Sequence, residues 1–211
     1  MTTTLRPLVL IALSLPVTAL AQQPRDNDQF VGAAAWVRPA YQGADSTRTE
    51  PIPMLRLFGE HWFARTTQGQ LEGGYRIALT PTLTAGAQLS YEPGRRTKDS
   101  AFLISHRVED LDAGAALGAH LEWDERIGPA PINVLARWRQ HLDTDQGAKA
   151  DLRLTVGVLG TERLRAGVFT QFTWASAKAS QSYFGVTPAQ SAATGLPVYA
   201  AGSGLRYAVL G

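Results

Sequence analysis

The 211 residues hold 20 Lys+Arg against 18 Asp+Glu, no cysteine, and 45% hydrophobic side chains. An apolar fraction that high with only 18% charged residues excludes a disordered chain, and a formal net charge of +2 with no basic run longer than Arg95-Arg96 gives nucleic acid no electrostatic footprint. The absence of cysteine removes disulfide frames, thiolate metal sites and cysteine nucleophiles.

Residues 1–21 carry a single charge, Arg6, then an apolar stretch over 8–15, Pro16, and Ala19-Leu20-Ala21 ahead of Gln22-Gln23. That is the basic, apolar and small-residue order of a secretory signal peptide. The stretch from Pro7 to Ala21 is shorter than the roughly 20 residues of a spanning helix and is broken by Pro16. Cleavage after Ala21 is expected, leaving a periplasmic segment over 22–29 and one exported unit over 30–211.

Beyond Ala21 the signal is period two. Strands are expected over 30–38, 52–58, 62–67, 71–79 and 83–91, with imperfect alternation. The pattern then sharpens: over 111–123 every odd residue is apolar, from Leu111 to Trp123, while Asp112, His120 and Glu122 share the even face. Helical periodicity would scatter both sets around the circumference. The same alternation marks 132–139, 151–159 and 164–174, and a tenth strand begins near Gly204. Three features favour an outer-membrane barrel over a soluble sandwich. Several strands are long enough to cross a bilayer, Tyr91, Trp123, Trp138 and Trp174 lie near strand ends, and the non-apolar face carries too much charge for a dry core. Connections also alternate. Those at 59–60, 80–82, 124–130 and 160–162 are short; those at 39–51, 93–110, 142–150 and 176–203 are long, with 68–70 the exception. Short periplasmic and long outer loops are the barrel pattern. The expected fold is therefore all-β, a transmembrane antiparallel up-and-down β-barrel with outer-membrane lipid around it. Pro53 fits its strand only at a bulge or an unpaired N–H position.

With the apolar face toward lipid, the lumen receives Asp112, His120, Glu122, Arg137, Arg139, His141, Asp151, Arg153 and Arg165. Asp112 and Asp151 are expected to flank Arg139 and His141. Three readings remain: an ion-pair ladder that fills and stiffens the barrel, a selective small-solute channel, or an enzyme using His106, His120 or His141 with Ser100, Ser105 or Asp112. No motif such as G-x-S-x-G supports the last. The histidines lack metal-ligand spacing and no carboxylate cluster matches a calcium loop, so neither a metal nor a cofactor is expected.

In the longest connection, Thr187 and Gln190 fit a capping box, Pro188 a first helical position and Gly195 a stop, which predicts a helix over 188–194. Tyr183, Phe184 and Tyr199 then form either a lid over the barrel mouth or a docking surface. Thr173-Trp174, the run Gln181-Ser182-Tyr183-Phe184-Gly185-Val186, and residues 191–199 followed by Gly202 resemble the signature region of the MipA/OmpV family. Pro39-Ala40-Tyr41-Gln42-Gly43, Pro53 and residues 91–95 add to the resemblance, which spans 30–205. It implies a barrel of about twelve strands in a Gram-negative outer membrane. It also implies a non-catalytic scaffold role linking a lytic murein transglycosylase to a bifunctional peptidoglycan synthase; other members resemble adhesins or antigens. Gln181, Ser182, Tyr183, Phe184, Gly185 and Tyr199 become interaction candidates on this basis. Residues 103–109 replace a more glycine-rich stretch. The chain also ends without a terminal aromatic strand, so two further strands are expected beyond it.

Overall fold

The computed structural model describes residues 29–160 and 165–210, apart from the side chain of Arg165. The expected signal peptide, nearly all of the segment over 22–29 and the turn over 161–162 lie outside the described residues.

Ten antiparallel strands pair strictly in chain order in one sheet. They are β1 (Phe30–Pro39), β2 (Thr47–Phe58), β3 (Trp62–Thr67), β4 (Gln70–Ala78), β5 (Leu83–Glu92), β6 (Gly114–Ile127), β7 (Ala130–His141), β8 (Ala148–Gly160), β9 (Arg165–Ala175) and β10 (Gly204–Leu210). Three short helices lie in the long connections: α1 (Ala101–Ser105), α2 (Ala177–Phe184) and α3 (Pro188–Thr194). The sheet curls into a half-barrel, so that side chains on β4 reach those on β7 across its concave face.

The burial pattern inverts that of a soluble domain. The concave face buries Arg65, Glu72, Gln88, Glu92, His120, Arg137, Arg139, Asp151, Gln171 and Thr173. The convex face exposes Leu117, Leu121, Trp138, Leu152, Leu154 and Phe172, each at 40% or more. A water-facing apolar surface of that extent would be an aggregation liability; in a bilayer it is the solvated face. β6 has 14 residues and β8 has 13, more than the roughly 10 tilted residues that cross a bilayer. Exposed aromatics form two bands, Tyr91, Trp138 and Trp174 near the long-loop end and Trp62, Tyr75 and Trp123 near the short-turn end, as interfacial girdles do.

The largest differences from the sequence reading are in β2 and β6. β2 begins at Thr47 rather than Ile52, because its first half pairs continuously with β1 from Pro39↔Thr47 to Phe30↔Arg56. β6 begins at Gly114 rather than Leu111 and runs to Ile127, which shortens the connection expected over 124–130 to Gly128-Pro129. Gly128 takes φ +59, a left-handed turn position that suits glycine. Pro53 needs no bulge. It and Pro51 are two residues apart, so their missing N–H groups point to the same side of β2, and β3 pairs with β2 only from Arg56 to Phe58. The upper part of β2 therefore has a side on which proline removes no ladder bond.

Leu154→Arg, near the middle of β8 on the convex face, is expected to cost about 2–4 kcal/mol of folding free energy in a phosphocholine bilayer. Ala189→Arg, on the exposed face of α3, is expected to stay within about 0.5 kcal/mol. Urea midpoints of the two variants against the parent chain provide the check.

Candidate functional site

Strand register arranges the concave face of β6, β7 and β8 in rows. Gly118, Arg139 and Lys149 lie side by side, then His120, Arg137 and Asp151, then Glu122, Leu135 and Arg153, then Asp124, Asn133 and Thr155. Each row is one inward step of three antiparallel strands, so residues two apart on one strand occupy successive rows.

Two carboxylates act as hubs. Glu72 on β4 accepts from Arg65 Nε at 2.6 Å, Thr67 Oγ1 at 3.0 Å, Gln88 Nε2 at 3.0 Å and Arg137 Nη1. Asp151 accepts from Arg137 Nε at 3.0 Å, Arg139 Nη2 at 2.6 Å and Thr173 Oγ1 at 2.7 Å. Arg139 also reaches Gln70 and Glu92, and Lys149 Nζ donates to Glu92 at 2.8 Å. Arg65 extends the network to Glu122 at 2.7 Å, where Asn133 Nδ2 donates at 2.8 Å. Glu72 is fully buried and Arg137 is 2% exposed. Ions this buried are costly unless paired and hydrogen-bonded, and every carboxylate of the network holds at least two donors.

His120 is part of this packing. Gln88 directs Nε2 to Glu72, so its Oε1 faces His120 Nδ1 at 2.7 Å, and that nitrogen must be the donor. The imidazole packs edge-on against Phe63 with centroids 5.2 Å apart. His141 lies at the end of β7, where its Nδ1 accepts from the Asp143 N–H at 3.0 Å. His106 follows α1 and is half-buried, with Nδ1 2.9 Å from the Phe102 carbonyl. The three histidines thus occupy separate places.

The structure joins Arg137, Arg139, Asp151, Glu122 and His120 in one network. Asp112 is a correction: it precedes β6, is exposed, and has no hydrogen bond or ion pair to Arg139 or His141 among the described residues. Sequence reasoning overlooked Arg65, Gln70, Glu72, Gln88, Glu92 and Lys149. Their signal was present, since Gln70 and Glu72 alternate with Leu71, and Gln88, Ser90 and Glu92 with Leu89 and Tyr91.

At the long-loop end, Ser176 caps α2, and the Thr187/Gln190 capping box and left-handed Gly195 bound α3 where expected. α2 itself was not anticipated, nor was α1. Tyr183, near the end of α2, ties loops together. Its hydroxyl accepts from the Gln42 N–H at 3.1 Å, its carbonyl from Arg95, and its ring carries Arg206 at 4.0 Å. Phe184 packs at 4.8 Å from Tyr183, Gln181 Oε1 accepts from the Ala201 N–H at 2.8 Å, Ser182 donates back to Ala179 and Gly185 closes α2. Tyr199, by contrast, is 55% exposed. Arg95 is depressed from its ordinary pKa by burial in this cluster. The Asp110 carboxyl in the neighbouring loop is lowered by the backbone N–H and hydroxyl of Thr97, at 2.6 and 2.7 Å.

Comparison with known proteins adds an independent finding. A family model described as MltA-interacting protein MipA matches residues 31–211. A 24 kDa outer membrane protein of Pasteurella multocida (strain Pm70) is 23% identical over 182 residues, covering 84% of this chain and 68% of that protein. No solved structure matches.

Arg137→Ala removes a cationic donor from both Glu72 and Asp151, which keep Arg65 and Arg139, and is expected to destabilise the folded chain by about 3–5 kcal/mol. Lys178→Ala removes only the exposed pair with Asp145 at 3.4 Å and is expected to cost no more than about 1 kcal/mol. Denaturant titration in one detergent distinguishes the two.

Proposed function

The chain belongs to the MipA family, and from that membership we propose that it is a non-catalytic outer-membrane scaffold of a Gram-negative cell. Its periplasmic end holds a lytic murein transglycosylase and brings it beside a peptidoglycan synthase. The observation that carries this reading is the family match over 31–211, whose description names the interaction. An inside-out sheet supports it by supplying a lipid-held platform. The short connections at 59–61, 79–82 and 128–129 are the surface such an enzyme would meet from the periplasm.

The lumen residues His120, Glu122, Arg137, Arg139 and Asp151 serve in this reading as a filling that stiffens the platform, in keeping with their mutual hydrogen bonding. Gln181, Ser182, Tyr183, Phe184 and Gly185 close the outer loops over it. A surface-binding role has one observation in its favour: Val198 and Tyr199 are 58% and 55% exposed beyond α3.

The test is retention of purified murein transglycosylase by the folded chain in non-ionic detergent. Retention is expected, with loss when Gly128-Pro129 and the connection over 79–82 are replaced by Gly-Ser linkers. Failure to retain the transglycosylase at micromolar concentrations would remove the scaffold role.

A further inference from the structure

The ion-pair network does not fill the whole lumen. Below the Arg137 row, on the side toward the short turns, a cavity of about 310 Å³ opens between the inner face of β1–β3 and that of β6–β8. Its volume falls at the small end of ligand-sized pockets.

Three arginines line it, Arg56, Arg65 and Arg153. Arg65 is 6% exposed; its Nε and Nη1 are taken by Glu72 and Glu122, while its Nη2 is buried without a hydrogen-bond partner. Arg153 makes no ion pair among the described residues. Its Nε donates to Thr155 Oγ1 at 3.2 Å and its plane lies 4.1 Å over Phe169. Register explains why. Leu135 separates Arg153 from Glu122 within their row, and Asp151, one step above on the same strand, already holds Arg137, Arg139 and Thr173. The guanidinium of Arg153 is thus left without a carboxylate partner among the described residues, and guanidinium forks suit planar oxyanions.

The remaining walls narrow the ligand. Phe30 and Leu135 give the cavity an apolar side, while Glu122 and Asp124 oppose a second negative charge. We propose that this cavity is a binding site for a small organic monocarboxylate. Its carboxylate is held by Arg153, with Arg56 and Arg65 adding positive charge to the walls, and its apolar part rests against Phe30 and Leu135. The site is separate from the scaffold surface, so either can fail without the other.

Benzoate is the probe. The full chain, folded in non-ionic detergent, is expected to bind it saturably by isothermal titration or saturation-transfer NMR. Arg153→Gln is expected to weaken binding about tenfold or more, the scale of a lost charge-assisted contact. Arg153→Lys, which keeps the charge but loses the fork, should fall between the two, and it carries the comparison if the glutamine variant does not fold. Inorganic phosphate, doubly charged and without an apolar part, should fail to compete. Absence of saturable benzoate binding to the folded chain, unchanged affinity in a folded Arg153 variant, or equal competition by phosphate would each overturn the assignment.

Discussion

Arg137 is the contact on which the rest of the sheet depends. Its guanidinium lies between Glu72 of β4 and Asp151 of β8, so that a single cation straps strands four places apart in the sheet. Lipid outside forces apolar side chains outward, and strand alternation then forces every second residue inward. The interior is thus filled with groups that cannot stay charged and unpaired. Arg137, Arg139 and Arg65 meet that constraint together, each touching carboxylates on more than one strand. Curvature and charge pairing are consequently one feature: flattening the sheet would separate Glu72 from Arg137 and leave each with only the partners on its neighbouring strands.

The outer end is organised by a smaller device of the same type. Tyr183 gathers Gln42 from the first long loop, Arg95 from the third and Arg206 from β10. Cation–π stacking lets these arginines approach one another around an aromatic ring without carboxylates. The loops are therefore fastened to each other above the ion-pair network, and Tyr199 is left facing outward.

Much of this was legible in the chain. Ten strands in consecutive order followed from period-two alternation and loop lengths, and α3 from Thr187, Gln190 and Gly195, because these are local signals. Arg137, Arg139 and Asp151 were legible as inward residues for the same reason. Their partners were harder to see. Glu72 lies in a glycine-interrupted strand, and its link to Arg137 spans 65 residues of sequence; only curvature brings them together. The misplacement of Asp112 shows the converse limit. Alternation continues in sequence through Leu111 and Asp112, but the ladder of β6 begins at Gly114, and pattern alone does not mark where pairing stops. The neighbours of Tyr183 were hidden likewise, since Gln42 is 141 residues away.

The central claim is that the convex face meets lipid while the concave face does not, and the natural lack of cysteine makes this directly measurable. Single cysteines at Ala136, Leu152 and Leu154 on the convex face, and at Asn133 and Thr155 beside the cavity, can carry a fluorescent probe in bilayers containing brominated lipid. Strong quenching at the first three positions and little at the last two is the predicted result. Equal quenching at both sets, or none at Leu152 and Leu154, would contradict the barrel.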